Sequence, residues 1–166
     1  MRLVFFDTEF TGLIVDPQLI SIGLVDESGE RLFYAELSDT YRLANVGDFA
    51  REAVLPQLEG GGARLTMAEL NRGLGEWIKN FGEPVKLATD SLSWDWPWIH
   101  EIFEDQATWP ANLDGKPLIL PQEAEFNLAI ERTFADGLRR HHALDDARAN
   151  RLAWFAANGG IGSTVA

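Results

Sequence analysis

The sequence predicts a mixed α/β domain, a central sheet flanked by helices, and three observations carry that expectation. The chain opens on an apolar run, Leu3-Val4-Phe5-Phe6, that leads directly into the carboxylates Asp7 and Glu9. Two more strand-like runs follow, separated by a tight turn. The rest of the chain alternates helical periodicity with a single further short apolar run. Strands that come first as a meander, and then in alternation with helices, give an antiparallel meander of three strands extended by parallel strands.

Each element has a local reason. The first apolar run is bounded by polar residues and reads as a buried strand. Gln18–Asp26 contains Leu19-Ile20-Ser21-Ile22-Gly23-Leu24-Val25, a second strand; Glu27-Ser28-Gly29-Glu30 is a turn, and Arg31–Leu37 a third strand. Residues Gly47–Leu58 read as helical, with Phe49, Ala53 and Val54 on one side and the run Glu59-Gly60-Gly61-Gly62 ending the helix. Thr66–Phe81 is the clearest helix. Thr66 and Glu69 form a capping box, Met67, Leu70, Leu74, Trp77, Ile78 and Phe81 keep the helical period, and Gly82 stops it. Pro84–Thr89 is a short strand ending at Asp90. A helix from Trp94 to Glu104 would hold Pro97 in its first turn, where the missing N–H is tolerated. Asp105–Pro121 reads as irregular, Gln122–Phe134 as helix, Ala135–His142 as loop, and Ala143–Asn158 as a last helix ended by Gly159-Gly160.

The 166 residues fit one domain over 1–166 with a sizeable core. Ten Phe, six Trp and two Tyr argue against disorder. The chain has no cysteine, which excludes disulfides, Cys-ligated zinc and thiol catalysis and fits a cytoplasmic setting. The first apolar run is too short to span a bilayer, so no membrane association is expected. A formal charge of −12 excludes a broad basic groove for nucleic acid. A polyanionic substrate would have to be held locally, through metal ions and a few Arg.

Residues two apart on a strand share a face, so Asp7 and Glu9 project together. Two such anions repel unless a cation lies between them or one keeps its proton. Hard oxygen donors suit Mg²⁺ or Mn²⁺. Asp95 in Trp94-Asp95-Trp96-Pro97-Trp98-Ile99 and the pair His141/Asp146 in His141-His142-Ala143-Leu144-Asp145-Asp146 are the other candidates. On one regular helix, five residues would set His141 and Asp146 about 140° apart. With His141 in the preceding loop, both reach one site. Asp90, Asp145 and His142 are the neighbouring competitors for these roles.

Asp7-Thr8-Glu9-Phe10-Thr11-Gly12, Asp95 through Ile99 and His-x-Ala-Leu-x-Asp at His141–Asp146 resemble, in order, the motifs of the DEDDh 3′–5′ exonuclease superfamily. Ile20-Ser21-Ile22-Gly23, Phe33-Tyr34-Ala35-Glu36 and Phe49 through Pro56 are similar to a small bacterial exoribonuclease branch of it. The resemblance implies a ribonuclease-H-like fold and two-metal phosphodiester hydrolysis with two Mg²⁺ or Mn²⁺ ions. It implies Asp7, Glu9, Asp95 and Asp146 as metal-site carboxylates and His141 as general base. It also implies Thr8, Phe10 and Leu13 as contacts to the terminal nucleotide. The partner it implies is the 3′ end of single-stranded nucleic acid, RNA in preference to DNA. Single-stranded DNA and a non-catalytic nucleic-acid-binding role are the alternatives, and a homodimer stays open. One of Trp94, Trp96 and Trp98 is expected at the substrate edge, and Arg139 or Arg140 within reach of phosphate.

Overall fold

The computed structural model describes residues 1–103 and 107–158, and its architecture is α/β around one six-stranded mixed sheet. The strands are β1 (Arg2–Phe10), β2 (Leu19–Asp26), β3 (Leu32–Leu37), β4 (Arg64–Leu65), β5 (Val85–Thr89) and β6 (Leu118–Ile119), in the order β4-β3-β2-β1-β5-β6. β1–β2 and β2–β3 are antiparallel, while β3–β4, β1–β5 and β5–β6 are parallel. The meander is thus as expected. β6 falls in the stretch expected as irregular and β4 in one with no expected element, because a two-residue strand carries no alternation to read.

Strand alternation divides the core between the two faces. Val4 and Phe6 of β1 pack with α1 (Met67–Lys79) and α2 (Leu92–Phe103), burying Leu70, Leu74, Ile78, Ile99 and Phe103. Phe5 packs on the other face with Phe126 of α3 (Ala124–Ala135) and Ala147 and Ala153 of α4 (Ala143–Ala157). β2 is buried along its full length, as a strand covered on both faces must be. Each fully buried Phe contributes about 1.5–3 kcal/mol.

The capping box of α1 forms as the sequence predicts: Glu69 N donates to Thr66 Oγ1 (3.2 Å) and Thr66 N to Glu69 Oε2 (2.8 Å). Two helices differ from expectation. α2 starts at Leu92, because the Ser91 carbonyl already accepts from Trp94 N and Asp95 N. Pro97 therefore sits in the second turn and leaves the Ser93 carbonyl without its helical donor; Ser93 is exposed, so water can serve it. The expected end of α2 at Glu104, part of the stretch Asp105–Pro121, and the stop at Gly159-Gly160 lie outside the described residues. In the segment expected as one helix over Gly47–Leu58, Ala50–Val54 is π-helical and Leu55–Gln57 3₁₀. Ala50 and Val54 face inward against Ile20 and Val46, whereas Phe49 is 62 % exposed. The small side chains permit that close packing, and Phe49, the residue before this inward-facing pair, points away from it.

The last helix is positioned by a glycine. A Cβ at Gly23 would stand 2.2 Å from Leu144 N and 2.4 Å from the Ala143 carbonyl carbon, so the first turn of α4 lies directly on β2. Gly23 pairs with Asp7 on β1, which sets α4's opening residues over the acidic end of β1. A glycine inside a strand commonly marks such a close approach. Gly23→Ala is expected to destabilise the protein by at least the about 1–3 kcal/mol typical of overpacking. Urea denaturation checks this; an unchanged midpoint would show that α4 does not depend on the contact.

Candidate functional site

β1 runs between an antiparallel neighbour, β2, and a parallel one, β5, so the chain leaves the sheet in opposite directions on its two sides. Open α/β sheets form a crevice outside the carboxyl ends of their strands at such a point. A cavity of about 290 Å³ lies there, and Asp7, Glu9, Asp90, Asp95, His141 and Asp146 all reach it. Thr8, Phe10, Trp94, Arg140 and Asn150 complete much of its wall.

The β1 pleat distributes these groups. Asp7 and Glu9 share the parity of Phe5 and face α4, where Asp146 occupies the fourth helical position and His141 the loop just before it. Thr8 and Phe10 face α2. Thr8 Oγ1 donates to Asp95 Oδ1 (2.6 Å) and Thr89 Oγ1 donates to Asp95 Oδ2 (2.5 Å), so Asp95 is held at 2 % exposure by two hydroxyls. Asp90, just past β5, accepts from Asn150 Nδ2 of α4 (2.9 Å). The carboxylates and the His141 imidazole fall into two groups whose ligand atoms lie within 4.8 Å of one another: Asp7, Asp90 and Asp95, and Glu9, His141 and Asp146.

The competitors separate by geometry. Asp145 accepts from Arg139 Nε (2.7 Å) and Arg148 Nη1 (3.4 Å) and does not line the cavity. His142 is buried, stacked on Tyr34, and caps α4 by accepting from Asp145 N. Asp90, in contrast, joins Asp7 and Asp95, so the competitor that the resemblance passes over in favour of Asp95 lies beside it at the strand end. The sequence places Asp90 at the end of the expected strand Pro84–Thr89, and the parallel pairing of that strand with β1 brings it to the acids. Asn150 and Gly23 carry no motif of their own.

The residues expected at the terminal nucleotide are placed unequally. Phe10 lines the cavity and stacks on Trp94, rings 5.7 Å apart at 16°. Trp94 is the tryptophan at the cavity edge, 46 % exposed, while Trp98 is buried and Trp96 packs on the core. Thr8 lines the wall, but its hydroxyl is committed to Asp95. Leu13 is 73 % exposed and outside the cavity lining. Arg140 reaches the cavity with its guanidinium paired to Glu131 (2.6 Å), and Arg139 is bound to Asp145 and Glu59. The exposed ring of Phe49 meets the His141 imidazole edge-on at 4.9 Å.

The electrostatics follow from burying like charges. Burial, and then Asp95, Asp146, Glu9 and Asp90, hold the Asp7 carboxyl well above the usual carboxylate range. Burial and Asp146 push Glu9 up to about 8. Burial pushes Asp95 and Asp146 to about 7, against the hydrogen bonds that lower them, from Thr8 and Thr89 to Asp95 and from the His141 backbone to Asp146. Burial and the neighbouring Arg140 lower His141, which favours the neutral imidazole. These clustered carboxylate oxygens could hold a metal ion, hard donors of the kind that suit Mg²⁺ or Mn²⁺, and the cysteine-free chain offers no thiol. No protein-family model matches the chain, and no curated protein matches it. No helix among the described residues is long and apolar enough to cross a membrane.

These shifts fix the sign of a pH effect. Carboxyls raised on folding favour the protonated folded state, so their stabilisation is full below the unfolded values near 4 and is lost as pH rises through the folded values of about 7 to 8. In EDTA, the thermal midpoint is expected to fall between pH 5 and 8, and millimolar Mn²⁺ to reverse much of the fall at pH 8. Asp7→Asn should match or exceed wild-type stability in EDTA at pH 8. Identical pH curves with and without Mn²⁺ would show that these groups do not hold a cation.

Proposed function

We propose that the protein is a divalent-metal-dependent 3′–5′ exonuclease that trims single-stranded RNA, built on a ribonuclease-H-like fold and related to the DEDDh superfamily that its motifs resemble. The observation that carries this reading is the convergence of Asp7, Glu9, Asp95, His141 and Asp146, from three separated chain segments, on one cavity beside an aromatic platform. The β3-β2-β1 meander with parallel strands beyond β1 is in keeping with the fold that the resemblance implies.

Asp7, Glu9, Asp95 and Asp146 would hold two ions, with Asp90 close enough to contribute. When bound, such ions supply Lewis acidity and neutralise the charge that develops on the phosphate. Each residue then has a separable task. The neutral His141 imidazole takes a proton from the water that attacks the terminal phosphorus. The P–O3′ bond breaks and the departing O3′ oxygen takes a proton from solvent, which releases a nucleoside 5′-monophosphate and leaves a 3′-hydroxyl on the shortened strand. Phe10 and Trp94 offer a flat apolar face to a base, a sequence-tolerant contact worth about 1–3 kcal/mol. Arg140 adds positive charge where the chain is otherwise acidic, and Thr8 and Thr89 orient Asp95.

Oligomers labelled at either end, incubated with Mg²⁺ or Mn²⁺, test activity, polarity and sugar preference together. Mononucleotides are expected from the 3′ end, none in EDTA, and RNA is expected to be shortened faster than matching DNA, since a 2′-hydroxyl offers a donor and an acceptor. Equal or faster DNA trimming would transfer the reading to a DNA exonuclease; activity that survives rigorous chelation would remove the metal mechanism.

Substitutions test the assignments. Asp7→Asn, Glu9→Gln, Asp95→Asn and Asp146→Asn are each expected to abolish turnover, and Asp145→Asn to reduce it far less. His141→Ala is expected to cost about 10²–10⁴-fold in single-turnover rate at saturating metal and substrate. A wild-type rate in that variant would exclude His141 as the base.

A further inference from the structure

The loop that carries His141 is tied to a segment 80 to 83 residues away in the chain. Gln57 Nε2 donates to the Arg140 carbonyl (3.2 Å), and Arg139 Nη2 donates to Glu59 Oε1 (3.1 Å). The segment is itself anchored to the sheet. Glu59 N and Gly60 N donate to the two carboxylate oxygens of Glu36, at 2.5 and 3.0 Å, and Glu36 is a buried residue of β3. Tyr34 Oη donates to the same carboxylate (3.0 Å) and stacks its ring on His142, 4.6 Å away.

His142 lies between these two pieces. Its side chain is fully buried. Two donors converge on Nδ1, the Asp145 backbone N–H and Arg139 Nη2, each at 3.4 Å. Both require Nδ1 to be bare, so the ring proton belongs on Nε2. Nε2 faces Glu59 Oε1 at 3.4 Å and makes no hydrogen bond as the ring stands, so a small approach of Glu59 would complete one. Next in the chain, His141 has φ +63°; among the described residues only Ala107 is another non-glycine with positive φ. A bulky side chain keeps that conformation only where its surroundings over-determine it, and such strain gathers at functional sites.

We propose that the contact of the buried His142 ring with the half-exposed Glu59 carboxylate is a latch that fixes the His141 backbone and so aims its imidazole at Glu9 and Asp146, which makes His142 and Glu59 positioning residues; the catalytic half rests on the function proposed above. Neither side chain lines the cavity, so each acts through His141 and not on the substrate. The latch also explains why two adjacent histidines differ so sharply in burial. One is the fixed point from which the other projects.

Glu59 is the informative position, because it lies outside the sheet and helices and can be changed with least risk to folding. Glu59→Ala is expected to lower kcat about tenfold or more with KM within about twofold, since displacement of a catalytic group costs turnover rather than binding. Glu59→Gln keeps an oxygen that accepts from Nε2–H and is expected to restore most of the rate. In a His141→Ala background, Glu59→Ala should cost nothing further, because the two act as one unit. A second readout needs no activity. Trypsin under native conditions should cut after Arg139 or Arg140 faster in Glu59→Ala than in wild type. A wild-type kcat in folded Glu59→Ala, an undiminished loss in the His141→Ala background, or unchanged cleavage would each overturn the proposal. A wild type that trims no oligomer would remove the catalytic half together with the function proposed above, and the cleavage rates would still decide the latch.

Discussion

The close approach of α4 to β2 at Gly23 is the constraint on which the site depends. Helices normally stand off a sheet by the thickness of two layers of side chains. Where Gly23 removes one layer, the backbone of Ala143 and Leu144 comes down onto the strand. Because Gly23 is the partner of Asp7 in the β1–β2 register, the same contact sets the loop before α4 over the acidic end of β1. Asp146 and His141 then reach groups that precede them by more than 130 residues. A larger residue at that one point would lift α4 and separate the two halves of the cluster while every acid stayed in place on its own element.

The gathered acids oppose the fold that gathers them. Their carboxyls are pushed up by burial and by one another, so the protein holds them together only because the surrounding core is well packed. Phe5 and Phe6, buried on opposite faces of β1, lie immediately before the acids and lock the strand between the α1/α2 and α3/α4 layers. Repulsion is thereby stored at a rigid place. A cation entering such a site meets donors already in position, so less of its binding energy goes into ordering the protein. Hydroxyls from Thr8 and Thr89 do comparable work for Asp95, fixing the carboxylate of a helix residue against two strands.

Adjacent residues in this protein take opposite tasks. Asp146 faces the cavity and Asp145 turns away to Arg139 and Arg148, because one step along a helix rotates a side chain by about 100°. His141 lines the cavity and His142 is enclosed against Tyr34 and Glu59, because the backbone reverses its sense at the positive φ of His141. The supporting member of each pair binds the loop, and the other lines the cavity.

The sequence by itself determined the three-strand meander, the capped helix α1, the helix α4 with His141 left outside it, and the placing of Asp7 and Glu9 at a strand end. All of these rest on local rules: alternation, helical period, capping and turn residues act over a few positions and are visible in any short window. Only the tertiary structure decided what depends on distant partners. The two-residue strands β4 and β6 exist because an edge was available to pair with. Phe49 faces outward because Ala50 and Val54 fit the surface beneath it. Asp90 joins the cluster because β5 lies parallel to β1, so that their carboxyl ends emerge together. Glu59, part of no motif, reaches His142 because Glu36 fixes its backbone to the sheet. Long-range pairing leaves no period and no spacing in the chain; it is set by which surfaces can be buried against each other, and that is resolved only when the whole sheet is assembled.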